Sequence, residues 1–112
     1  MTAISFSVMK DKLLDGTKCQ TIRKLRKRPV KVGDKIIVYW NQRSKNNEIL
    51  GITECIEEKA IDLKDVTLED AEADGFCGRQ HLWDWFNAHY STDEVLYGKW
   101  QIIKFKPLKD SL

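Results

Sequence analysis

The chain has 112 residues, with 19 Lys and Arg against 17 Asp and Glu, a formal net charge of +2, and 42% hydrophobic and 32% charged residues. That length predicts one domain over residues 1–112, able to bury a core without staples, and a content of only 2 Pro and 6 Gly excludes a disordered or collagen-like chain. No apolar run nears the roughly 18 residues of a membrane span, and the N-terminus lacks the basic-then-apolar pattern of a secretory signal, so a cytoplasmic protein with no membrane partner is expected. Cys19, Cys55 and Cys77 are far apart and odd in number, which suits free, mostly buried thiols and neither a disulfide framework nor a zinc site. His81 and His89 have no Cys or carboxylate placed to complete a metal site; no metal and no cofactor is expected.

Ile4, Phe6 and Val8 alternate with Ser5 and Ser7, the period-two pattern of a half-buried strand. Residues 9–15 place Met9, Leu13 and Leu14 on the apolar side of one or two helical turns, and Gly16 ends them as a residue free to take positive φ. In the strand that follows, Thr21 and Arg23 share one face and Ile22 takes the other, while the turn before it aims Lys18 toward the same mouth. Residues 24–29 show no periodicity, and Pro29 disfavours a central strand, so an exposed loop is predicted. A hairpin comes next. Residues 36–40 form its first arm, Asn46-Asn47 the turn, and residues 49–56 the return, with Leu50, Ile52 and Glu54 on one face and Gly51, Thr53 and Cys55 on the other.

Thr67-Leu-Glu-Asp70 is a capping box with a shortened acid, opening a short helix that Gly75 ends. A helix over about residues 79–88 carries Leu82, Trp85 and Phe86 on its buried stripe and leaves Trp83 the most exposed of the tryptophans, with His81 and His89 on the surface. Trp40 and Trp85 read as core. Residues 99–105 make a last strand covered on both faces. Helices interrupt the strand series without alternating with it, which predicts an α+β fold: a small, mostly antiparallel β-barrel with flanking short helices.

Charge is unevenly spread. Residues 18–35 carry eight cations (Lys18, Arg23, Lys24, Arg26, Lys27, Arg28, Lys31, Lys35) against Asp34 alone, whereas residues 54–74 carry nine acids and two lysines. Concentrated positive charge on a near-neutral protein marks a surface for phosphate-bearing ligands; the plainer alternative is a solvated loop. Lys18, Arg23, Lys24, Arg26, Lys27 and Arg28, with Arg43 in the hairpin loop, are the candidate nucleic-acid contacts.

Gly16-Thr17-Lys18-Cys19-Gln20-Thr21-Ile22-Arg23, then Val32-Gly33-Asp34, Tyr39-Trp40 and Arg43, then Asp70-Ala71-Glu72-Ala73-Asp74-Gly75-Phe76 and the Trp85-Phe86 helix, in that order over about residues 4–105, resemble the ASCH domain of the PUA-like superfamily. The resemblance implies a PUA-like barrel with a cleft faced by the Gly-x-Lys-x-x-Thr-x-Arg segment, and RNA or a modified nucleoside or nucleotide as partner. One branch, the small bacterial acetylcytidine amidohydrolases, removes the acetyl group from the exocyclic nitrogen of cytidine with a Lys, a Thr and a Glu. Carried over, these are Lys18, Thr21 and a carboxylate at or near Asp74, which is shorter by one methylene, about 1.5 Å of reach.

Amide hydrolysis asks for a nucleophile, a base and an oxyanion donor. Thr21 suits either a nucleophile or a hydroxyl that positions water, and Lys18 suits its base once burial lowers the lysine pKa. Asp74 suits an orienting group or a proton shuttle, and Arg23 an oxyanion donor or a phosphate ligand. The structural alternatives are a strand-forming Thr21, an Arg23 paired with Asp34 or Asp74, and an Asp74 that serves its helix end. Three readings follow: an RNA- or nucleotide-binding domain, an amidohydrolase on acylated cytidine, and an adaptor whose acidic helix contacts another protein.

Overall fold

The computed structural model describes residues 2–42 and 44–108. The elements run β1 (Thr2–Phe6), α1 (Lys10–Leu14), β2 (Gln20–Lys24), β3 (Lys35–Trp40), β4 (Glu48–Ile61), a 3-10 turn (Leu63–Asp65), α2 (Leu68–Ala73), α3 (Arg79–His89), α4 (Thr92–Tyr97) and β5 (Trp100–Phe105). β1 lies parallel to β3, and the pairings β3–β4, β4–β5 and β5–β2 are antiparallel, so the sheet order is β1-β3-β4-β5-β2. This mixed sheet curls into a half-barrel flanked by short helices, the predicted α+β architecture.

The curl depends on β4. Its first part pairs with β3 and its last part with β5, and each pairing carries a register shift, at Leu50 opposite Val38/Tyr39 and at Ile56 between Cys55 and Glu57. An extra residue in one strand bends it and raises its twist. The first bulge corrects the predicted hairpin faces. Leu50 and Gly51 both turn inward, Thr53 and Cys55 follow Gly51, and Ile52 stands outside at 47% exposure, because one inserted residue exchanges the two faces beyond it. The strand also continues past residue 56, where the prediction ends it, since residues 57–61 find β5 to pair with.

Two apolar clusters share β5. Ile103 and Phe105 pack with Ile4, Leu13, Ile36 and Val38, whereas Trp100 and Ile102 pack with Ile22, Leu82, Phe86 and Val95 under the helices. Helix α4 is absent from the prediction although its signal was present: Ser91 and Glu94 form a reciprocal capping box. Of the thiols, Cys55 is buried, Cys19 partly so and Cys77 exposed; Cys77 falls in the turn between α2 and α3, off any periodic face. Among the described residues no helix is long and apolar enough to cross a membrane.

Gly75, at φ 106, ends α2, and a Cβ there would lie 2.3 Å from the Met9 side chain. Gly75→Ala is expected to lose about 1–3 kcal/mol in a urea titration. Gly33→Ala, at φ 93 with nothing within 4 Å of its Cβ, measures the backbone share alone and is expected to cost less.

Candidate functional site

The half-barrel leaves a seam between its edge strands, β1 and β2. Guanidinium groups bridge it: Arg26 donates to the Ala3 carbonyl at 2.8 Å and Arg23 to the Ser5 carbonyl. Ala3 and Ser5 are two apart on β1, so their carbonyls point the same way, out from β3 and toward β2. Arginines thus satisfy an edge that no strand covers.

Beside the seam lies a cavity of about 340 Å³ whose polar side comes from Lys18, Thr21, Arg23 and Asp74. Lys18 sits between α1 and β2, held by the bond from its amide to the Lys12 carbonyl. Only 5% exposed, its ammonium donates to the Asp74 carboxylate at 3.1 Å and to the Asp74 main-chain carbonyl at 2.5 Å. Asp74 is the C-cap of α2 and also accepts from the Ile22 amide, on the open edge of β2, at 3.2 Å. Gln20 adds a second tie between these elements by donating to the Asp70 carbonyl at 3.2 Å. Thr21 is 4% exposed, and its hydroxyl accepts from Arg23 Nε at 3.1 Å. The Arg23 guanidinium lies over the Phe6 ring, 4.8 Å from its centroid.

The opposite side is aromatic, made by Phe76, Trp85 and Tyr90. Trp85 stacks on His89 at 4.1 Å and 18° and meets Phe76 edge-on at 6.0 Å. His81 caps the rim, accepting from the Cys77 amide at 2.9 Å and meeting Phe76 edge-on.

Burial is the largest influence on all three ionisable groups here. It pushes the Asp74 carboxyl up to about 6 against the pull of Lys18, draws Lys18 below the ordinary lysine value despite Asp74, and lowers Arg23. Acid and amine are thereby brought toward each other in proton affinity.

Lys18, Thr21, Arg23 and Asp74 therefore converge on one cavity, and the rest of the basic run does not join them. Lys24 pairs with Glu94 and Lys35 with Glu54, and Arg26 leans on β1. Lys27, Arg28 and Lys31 are exposed and make no ion pair among the described residues. Arg43 lies outside the described residues. Arg23 has neither Asp34 nor Asp74 as an ion-pair partner; its bonds go to Thr21 and Ser5. Trp85, expected in the core, is half-buried cavity wall, because Leu82 and Phe86, four apart on α3, take the buried line. Trp40 is likewise half-buried, and Trp100 is the tryptophan at 0% exposure. Phe6, Phe76, His81 and Tyr90 are cavity residues that sequence reasoning did not single out. Phe6 alternates as any core residue would, and Tyr90 follows a helix end, so neither carried a local signal. Phe76 did carry a signal: it closes the Asp70-to-Phe76 segment on which the resemblance rests, two residues after Asp74.

The curled half-barrel is a fold shared with solved ASCH domains. The chain is similar to the ASCH domain from Lactobacillus crispatus JV V101 (16% identity, 96% of this chain and 80% of that one, TM-score 0.63) and to ASCH from Zymomonas mobilis (16%, 95% and 66%, TM-score 0.63). It is also similar to protein EF3133 from Enterococcus faecalis V583, of the DUF984 family model (13%, 95% and 80%, TM-score 0.65). At these identities the likeness is one of fold. No family model matches the chain, and no curated protein matches it in sequence.

Proposed function

We propose that the cavity binds a nucleobase, presented by a nucleoside, a nucleotide or an unpaired RNA residue. The observation that carries this is the meeting of aromatic ring surface and a buried Lys–Asp pair in one cavity of about 340 Å³. A base needs π-surface against its faces and donors and acceptors along its edge. Phe6, Phe76, Trp85 and Tyr90 supply the first, and Lys18, Thr21, Arg23 and Asp74 the second. Lys27 and Arg28, exposed beyond the seam, supply long-range attraction for a polyanion. The association of PUA-like domains with RNA and modified nucleosides agrees with this reading.

Calorimetric titration with nucleosides and with a short single-stranded RNA tests it. Trp85→Ala is expected to weaken binding by about 1–3 kcal/mol, roughly 5- to 150-fold. RNA affinity should fall with salt, and Lys27→Ala with Arg28→Ala should flatten that dependence by about 1.4 in log–log slope. Absence of binding to any base-containing probe, or RNA affinity indifferent to salt, refutes the reading.

A second reading, hydrolysis of acylated cytidine, is favoured by a specific contact: Asp74, though a methylene short, reaches Lys18 at 3.1 Å. In this reading a water held by Thr21 gives its proton to neutral Lys18 and its oxygen to the acyl carbon. The C–N bond then breaks, the exocyclic nitrogen takes the proton from Lys18, and acetic acid is released. Asp74 steadies the transient ammonium, and Arg23 faces the developing oxyanion.

A further inference from the structure

We propose that the open cleft at the β1–β2 seam is a phosphate subsite, so that the ligand of the neighbouring aromatic cavity is a nucleotide and not a free nucleoside; this rests on the nucleobase reading above. The cleft has a volume of about 540 Å³, is lined by Arg23, Arg26, Asn41 and Gln42 among others, and shares Ser5 and Arg23 with the aromatic cavity. One ligand can therefore occupy both, base in one and phosphate in the other.

The two guanidinium groups at the cleft have no carboxylate ion-pair partner among the described residues. Each ion pair among the described residues takes a lysine as its cation. Arg23 and Arg26 bond instead to neutral groups: Arg23 to the Thr21 hydroxyl and the Ser5 carbonyl, Arg26 to the Ala3 carbonyl. A guanidinium carries more N–H groups than these bonds use, and a carbonyl orients the fork without cancelling its charge. The two cations also feel each other, the Arg26 charge helping to draw Arg23 down. Two oriented forks with spare donors, and with no carboxylate partner among the described residues, match a phosphate better than any neutral group. The rim opposite them is held in place: the Asn41 main-chain N–H donates to the Phe6 carbonyl at 2.9 Å and the Gln42 main-chain N–H to the Ser5 hydroxyl at 3.1 Å.

The test compares, at one ionic strength, calorimetric affinities of a nucleoside, its 5′- and 3′-monophosphates and a dinucleotide monophosphate for the wild type and Arg26→Gln. A monophosphate is expected to bind at least about tenfold tighter than the nucleoside, and Arg26→Gln to bring that ratio near one. Arg26→Lys keeps the charge but loses the fork and serves if the Gln variant does not fold; an intermediate ratio is expected. A dinucleotide that matches the better monophosphate indicates an RNA chain, and a weaker one a free nucleotide; both uphold the subsite. Equal wild-type affinity for nucleoside and both monophosphates overturns the subsite and leaves the nucleobase reading standing. If no nucleoside or nucleotide binds, inorganic phosphate decides. A melting temperature raised by phosphate over chloride in the wild type, and not in the Arg26 variant, upholds an anion site without a base site; no such rise overturns both.

Discussion

Lys18→Met is expected to destabilise the fold by about 3–5 kcal/mol near pH 8, and by much less near pH 4. The change leaves the Asp74 carboxylate, with a side chain only 10% exposed, without its counter-charge. Its one remaining donor among the contacts described above is the Ile22 amide. Even with Lys18 present, burial holds the folded-state pKa of Asp74 at about 6, above its ordinary 3.8, and removing the ammonium raises it further. Between the unfolded and folded values the folded state binds more protons, so stability falls as pH rises through that window. The penalty is therefore absent when both states are protonated and complete above the folded pKa. Urea titrations of wild type and variant from about pH 4 to 8 check this; a loss independent of pH would show that Asp74 is not the group left stranded.

The reverse change carries the opposite sign. Asp74→Asn keeps an acceptor for Ile22 but strips Lys18 of its anion, and burial already lowers the lysine pKa. Above that lowered value and below 10.5 the unfolded state binds more protons, so the variant gains stability as pH rises. Lys18→Met combined with Asp74→Asn is expected to recover most of the single-variant loss, since neither member of the pair is then left as an uncompensated charge.

The second large effect concerns turnover. If acylated cytidine is a substrate, the wild type releases cytidine from acetylated cytidine on chromatographic separation, and Lys18→Ala loses about 10²- to 10⁴-fold in rate. Lys18→Arg does not restore the rate, because a guanidinium keeps its proton and cannot act as a base. The kcat/KM profile should rise with pH as Lys18 loses its proton, below the ordinary lysine value, and Asp74→Asn, which removes the anion that holds the ammonium, should move that limb to lower pH while leaving the fold intact by circular dichroism. A fully active Lys18→Ala variant rules out the assignment. No cytidine release at high protein concentration confines the cavity to binding, and the nucleotide titrations then carry the functional question.

Much that is local was legible in the residues. Strand alternation put Thr21 and Arg23 on one face, where they are in contact. Gly16 and Gly75 marked helix ends that prove left-handed, and the Thr67 cap bonds the Asp70 amide. Even the unanticipated α4 had its signal in Ser91 and Glu94. Such features rest on backbone sterics and hydrogen bonds that close within a few residues, so the chain specifies them without knowing its own fold.

Other features depend on partners distant in the chain. Residues 57–61 have no strand signature and extend because β5 pairs with them. The bulge at Leu50 exists to fit β3, and it alone turns Ile52 outward. Lys18 and Asp74 meet across 56 residues, and both lose solvent only when α2 docks on β2. Lys24 and Lys35, part of a basic run on paper, are neutralised by Glu94 and Glu54, while Arg23 and Arg26 keep their charge by bonding carbonyls across a seam left between the sheet edges. Spacing along the chain decides which side chains share a face; burial, charge compensation and the walls of a cavity arise between elements, from the desolvation and pairing that packing alone imposes.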